Sequence, residues 1–533
     1  MKKLFAAVAL TVAMALLLSG CGLLGLLASE ILEDEQDFGS LEYTRPDALQ
    51  LEKTAVAACR AAEGDDFGTL EDLIYDFFDQ YQWFYTNLSL ADIHYCIDMT
   101  DTYWQEEYNY CMEWSTTVDA AREELLYALA DSKHREKLES DEFFGADYFD
   151  AYEGESIYDE TFLALMEQET ALVNQYYEVS GEASAAEYGS NEYYEQYGTR
   201  MAEILVELVK VRQQQAAWVG YDSYPEFAYD FYHGRDYTPQ EAALYTAAVA
   251  EELYDLYVWS NTSYSWDYLY SYCYEDETRT YVEETAKAIG GDLEEAFRVM
   301  TENDLNHISY SENKYNASFE VYLTYYEVPF VFMNPRLDPS DKLTFAHEFG
   351  HFTADYVCYS SMAGTDIMEV HSQGLEYLSL LYGPAEEALA QYKLVDSMCI
   401  YVEQSAYAQF EQALYGLTGD ELTVENVQAL YEDTLVQFGF DSWGFDSRSY
   451  VTVTHFYTNP LYIISYVVSN DVALQLYQKE LGQPGAGLEL YKDMLYSDQW
   501  YIRSFAQEYG LEDPLDTDRL KSVRQTFTEG LGL

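Results

Sequence analysis

From Pro46 onward, apolar residues recur at three-four spacing with Glu, Asp or Gln between them, the period of helices that bury one face. The pattern predicts helices over Ala48 to Ala62, Leu70 to Tyr85, Tyr103 to Ser132, Tyr158 to Val179, Glu187 to Val219, Pro239 to Trp259 and Thr278 to Glu302. Breaks are few, with ten Pro in the chain, and no fixed-period repeat is present. The pattern changes between about Ala317 and Asn334. There Val321 to Tyr326 and Val328 to Met333 read as two short strands, either of which could form a sheet edge for an extended peptide. The expected fold is mainly α with a small sheet.

The start of the chain is different. Lys2 and Lys3 precede an apolar run from Leu4 to Leu18, then Ser19-Gly20-Cys21. A positive start, a short apolar stretch and small residues make an export signal over residues 1–20. Leu18-Ser19-Gly20-Cys21 resembles the lipobox of bacterial lipoproteins, which implies that Cys21 is acylated and becomes the first mature residue. The expected location is the bacterial cell membrane, lipid-anchored on its extracytoplasmic side, since no later stretch is long and apolar enough to span. Residues 21–45, with Glu33-Asp-Glu-Gln-Asp37, read as a flexible acidic tether.

Charge narrows the partners. The formal charge is −69, with 27 basic against 96 acidic side chains, and −71 without Lys2 and Lys3. Such a chain is not a nucleic-acid binder, which needs cationic contacts. It would also not adhere unaided to anionic lipid. A hydrophobic fraction of 49% with 55 Tyr excludes disorder. Beyond Cys21 the cysteines (Cys59, Cys96, Cys111, Cys273, Cys358, Cys399) show no C-x-x-C spacing, so no thiolate metal site is indicated.

The chemistry concentrates in Thr344-Phe-Ala-His347-Glu348-Phe-Gly-His351. On a helix, His347 and His351 share a face one turn apart and can grip one metal ion, with Glu348 beside them. Two His at i, i+4 with that Glu is the zinc metallopeptidase pattern. A catalytic zinc takes a third protein ligand. A metzincin would supply a His six residues on, where this chain has Val357. Two carboxylates remain, Asp366 and Glu369. Glu369 lies 22 residues after His347 inside a second helical run and is favoured, because a helix fixes geometry better than a loop. His371, two residues on, is expected to be exposed. Glu376 reads either as a hydrogen-bond acceptor for a ligand imidazole or as a plain surface Glu.

HEFGH followed by MEVHSQGLEYL resembles the thimet-type zinc metallopeptidases, the family of thimet oligopeptidase and oligoendopeptidase F. Glu327 to Asn334, Arg212-Gln-Gln-Gln-Ala-Ala-Trp-Val-Gly220-Tyr221 and His455 to Tyr466 extend the likeness over roughly residues 205–480. The resemblance implies a two-lobed helical zincin fold with a deep substrate channel, an N-terminal helical half (46–310) and a zinc-bearing half (311–533), packed as one body. It implies one zinc per chain on His347, His351 and Glu369, and a monomer that cuts short peptides with Glu348 as general base. It also assigns His455 and Tyr466 to face substrate and stabilise the oxyanion, with Tyr462 as a further candidate. One departure is Ile464, where such members carry Tyr. The competing reading is a peptide-binding lipoprotein whose catalytic site is retired.

Overall fold

Several of the helices start at a capping side chain. In the computed structural model, which describes residues 38–140, 143–152, 157–183, 186–358, 364–440 and 444–533, α1 (Ala48–Ala62) begins where Asp47 accepts the Gln50 N–H. Asp66 caps α2 (Phe67–Ile97) and Asp101 caps α3 (Thr102–Ala130) in the same way. Next come α4 (Glu160–Ala183), α5 (Thr199–Val219) and α6 (Pro239–Thr262), the last started by a reciprocal Thr238–Glu241 capping box. The single helix expected over Thr278 to Glu302 is two, α7 (Glu275–Ile289) and α8 (Asp292–Glu302). Gly290 and Gly291 separate them at φ +68° and +67°, a conformation open to glycine at little steric cost. The expected export signal, Cys21 and residues 22–37 lie outside the described residues.

The chain divides into two units interleaved in sequence: the described residues of 1–163, 271–362 and 381–384, and those of 164–270, 363–380 and 385–533. In the first, α1, α2 and α3 pack around Ala55, Leu70, Ile74, Phe77, Phe84, Leu125 and Leu129. Each larger side chain so buried contributes about 1.5–3 kcal/mol. The stretch 38–45, expected to end a flexible tether, is instead fastened to this unit. Phe38 N–H donates to the Asn303 carbonyl, Thr44 N–H donates to Asn87, and Tyr43 and Arg45 both reach the Glu107 carboxylate. Paired backbone and charge outweigh the acidic composition there.

The sheet of the first unit has three strands, β1 (Asn306–Ile308), β2 (Ser318–Leu323) and β3 (Val328–Met333), in the order β1-β3-β2. β2 runs antiparallel to β3, with Glu320 opposite Val331, and β1 runs parallel to it. β3 is therefore central and cannot be the expected edge; β2 can. β1 was not anticipated, because three residues carry no readable alternation. The buried Lys314 ammonium closes one end of the sheet by donating to the carbonyls of His307, Ser309 and Met333. α9 (Asp341–Val357) packs on β2, β3, α7 and α8. Its first residue, Asp341, accepts the N–H groups of Arg336 and Leu337 and so fixes the turn entering the helix.

The second unit holds α4–α6, α10 (Thr365–Tyr382), α11 (Glu387–Cys399), α12 (Ser405–Leu414), α13 (His455–Thr458), α14 (Ile464–Gly482) and α15 (Leu520–Leu531). α10 is buried nearly all round, from Asp366 to Ser379. A Cβ at Gly374 would meet Tyr491 at 3.1 Å and Leu476 at 3.3 Å, so this glycine lets α10 approach those rings and chains closely. Among the described residues no helix is long and apolar enough to cross a membrane.

Candidate metal centre

α9 fixes its polar residues by burying the others. Phe345, Ala346, Phe349 and Phe352 are buried, and Phe349 meets Phe297 of α8 edge-on, with ring centroids 5.4 Å apart. His347 and His351 are left half-buried, one turn apart, with ring centroids 5.0 Å apart and planes at 80°. Glu348 is buried at 6% exposure. β2 supplies another carboxyl group beside this face, that of Glu320. Burial, then the charges of Asp355 and Glu348, push Glu320 well above the usual carboxylate range. Only the strand register shows this residue to matter; its sequence context gives no signal.

Glu369 sits on α10, 4% exposed. Its two oxygens are held separately: Tyr462 donates to Oε1 at 2.7 Å and Ser372 donates to Oε2 at 3.1 Å. One ligand atom from each of His347, His351 and Glu369 lies within 4.8 Å of the others. Two imidazoles and a carboxylate at that spacing fit a zinc ion that keeps a position for water or substrate. The hydrogen bonds to Glu369 are the outer partners that orient such a ligand.

The alternative carboxylate, Asp366, is engaged elsewhere. It accepts from Ser465 Oγ at 2.5 Å and faces Arg235 at 3.5 Å. His371 corrects its expected exposure: it is 3% exposed, packed against Phe505, and burial lowers its pKa to about 4. α10 is covered on all sides, so a polar residue off the Glu369 face is still inside. Glu376 is likewise no surface residue, because it pairs at 2.7 Å with the buried Lys393 of α11.

The segment from His455 to Tyr466 brings its three expected residues together. Ring centroids are 5.6 Å apart for His455 and Tyr462, 5.7 Å for His455 and Tyr466, and 5.3 Å for Tyr462 and Tyr466. His455 Nε2 lies 3.2 Å from the Tyr466 hydroxyl. Burial lowers the His455 pKa to about 4, so its ring is neutral at ordinary pH. Burial, then the Glu369 charge, hold Tyr462 well above the usual phenol range, so it remains a donor.

Comparison with known proteins bears on the fold that carries these residues. Residues 38–156 match the Peptidase M3 N-terminal domain. That stretch lies outside the segments carrying the sequence resemblance. PZ peptidase A, solved with an inhibitor, superposes at a TM-score of 0.78 with 17% identity, covering 93% of this chain and 99% of that one. A provisionally assigned oligoendopeptidase F from Bacillus anthracis gives 0.74 and 18%, covering 93% and 98%. Oligoendopeptidase F from Enterococcus faecium gives 0.55 and 16%, covering 91% and 96%. The fold is that of oligoendopeptidase F. Among curated proteins none matches.

Proposed function

We propose that this chain is a zinc-dependent endopeptidase that hydrolyses short peptides, with His347, His351 and Glu369 as ligands and Glu348 as general base. The observation carrying this reading is the convergence of the three ligand atoms, with Glu348 one residue from the first of them. A zinc ion held by His347, His351 and Glu369 would lower the pKa of water and polarise a peptide carbonyl. Glu348 accepts a proton from the attacking water at its carboxylate and returns it to the leaving amine. The Tyr462 hydroxyl proton is directed at Glu369, so Tyr462 orients a ligand. Tyr466, hydrogen-bonded to His455, is then the assigned donor to the developing oxyanion. β2, an edge strand of the sheet, can accept extended substrate backbone.

Zinc analysis with turnover of an internally quenched peptide tests this. One zinc per chain is expected, with activity removed by a chelator and restored by zinc. A chain without stoichiometric zinc, or hydrolysis indifferent to chelation, rejects the reading and favours a peptide-binding protein.

The expected export signal and the Leu18-Ser19-Gly20-Cys21 run support a second part of the proposal: a chain anchored by lipid at Cys21, outside the cytoplasmic membrane. Changing Cys21 to Ser should move the protein from the membrane to the soluble fraction of an expressing bacterium. Unchanged membrane association would reject the anchor.

A further inference from the structure

The His455–Tyr466 segment is only partly held by its own secondary structure. α13 is four residues long, and α14 starts only at Ile464. Between them Leu461 sits at φ +64°, a left-handed conformation uncommon for a residue with a branched side chain. Two fully buried arginines lie under this segment and spend their donors on its carbonyl groups.

Arg212 of α5 grips the first part. Its Nη1 donates to the Phe456 carbonyl at 2.7 Å and to the Tyr415 hydroxyl at 3.1 Å, and its Nη2 donates to the Tyr457 carbonyl. Its Nε is paired with Glu169 at 2.6 Å, and Gln215 donates to the other oxygen of that carboxylate. Arg235 grips the second part. It donates to the Leu461 carbonyl at 2.9 Å, to Ser465 Oγ at 2.8 Å and to the Tyr462 carbonyl at 3.5 Å. Two more side chains complete that grip. Glu411 accepts the Leu461 N–H at 2.7 Å, and His233 Nε2 lies 2.9 Å from the Pro460 carbonyl. Leu461, the residue in the unfavourable conformation, is thus held at both its N–H and its carbonyl by charged or chargeable side chains. The next residue is Tyr462, whose hydroxyl reaches Glu369.

We infer that Arg212 and Arg235 are positioning residues, Arg212 setting His455 and Arg235, with Glu411, setting Tyr462 against Glu369. The inference rests on the zinc peptidase reading for its consequence. A guanidinium supplies several donors in a fixed plane, which suits two adjacent carbonyl groups and which an ammonium cannot reproduce. Arg212 also lies in the R-x3-A-x2-x-G-Y stretch, and this gives it a physical role.

The test measures zinc affinity by chelator competition and hydrogen exchange over residues 455–466, in the wild type, Arg235→Lys, Tyr462→Phe and the double variant. Tyr462→Phe is expected to weaken zinc binding about 10-fold, as loss of an outer partner of a ligand does. Arg235→Lys should weaken it similarly, and the double variant should be no weaker than Tyr462→Phe alone. Arg212→Lys should speed exchange around His455 and lower kcat more than it raises KM. Multiplication of the two zinc losses, or unchanged exchange in the arginine variants, overturns the inference. Where Arg235→Lys does not fold, Glu411→Gln and Ser465→Ala loosen the same grip and carry the same expectations. A wild-type chain that binds no zinc defeats the functional reading, and the exchange pattern then decides the positioning role by itself.

Discussion

At the scale of single residues, burial decides which groups can change charge. His455 stays neutral down to about pH 4 because its ring is desolvated. It therefore contributes hydrogen bonding rather than a proton switch. Replacing His455 by Gln should lower kcat/KM by roughly 10–100-fold, within the range of a catalytic hydrogen bond. The acid limb of the pH–rate profile should keep its midpoint. A shifted or vanished acid limb would show that His455 titrates in the working range.

The juxtaposition of His347 and His351 was legible at this scale because the two sit one turn apart on one helix. The expected contrast of helix against loop, which set Glu369 above Asp366, did not hold, because both lie on α10; their partners separate them instead, Asp366 on Ser465 and Arg235, Glu369 on Tyr462 and Ser372. Arg235 was not legible. Its partners are carbonyl groups more than 200 residues away, and such bonds leave no periodic trace in sequence. His371 misled because spacing tells which face a residue occupies and not whether that face is covered.

At the scale of elements, the placement of Glu369 depends on how α10 begins. Gly364 N–H donates to the Trp500 carbonyl at 3.2 Å, and a Cβ at Gly364 would lie 2.2 Å from that oxygen. Backbone cannot yield as a flexible side chain does. Gly364→Ala should therefore cost about 1–3 kcal/mol of stability, as overpacking does. The start of α10 would shift, and zinc affinity should fall with the melting temperature. Unchanged stability and affinity would show that this contact does not locate the helix. Apolar periodicity found most of the long helices, because each buries a stripe of side chains. It read through the break at Gly290–Gly291, since both flanking segments keep the same spacing.

At the scale of the molecule, acidic charge sets the response to pH. Burial raises Glu411 to about 8 and Glu403 and Glu123 to about 7. In the unfolded chain such groups titrate near 4.3. Between these values the folded state holds protons that the unfolded state has lost, so each raised group's contribution is lost as pH rises through its folded pKa. His455, His371 and His307 move the opposite way, but only between about pH 4 and 6.5, where their contribution is lost as pH falls. Above pH 6.5 the three raised carboxyl groups are opposed by Lys314, whose ammonium pKa burial lowers to about 7, and they outweigh it only up to about pH 7. The melting temperature should fall from pH 6.5 to 7, and added salt should raise it by screening the net charge of −69. A rise over that pH range at constant ionic strength would contradict the assignment of these buried groups.

The central claim is that Glu348 moves the proton for a peptide bond held at a zinc site. The direct measurement is hydrolysis of a quenched peptide by the wild type and Glu348→Gln at equal zinc content. Full zinc with a rate reduced by about 10²–10⁴ is expected, the range of general acid–base catalysis. Equal rates at equal zinc would contradict it.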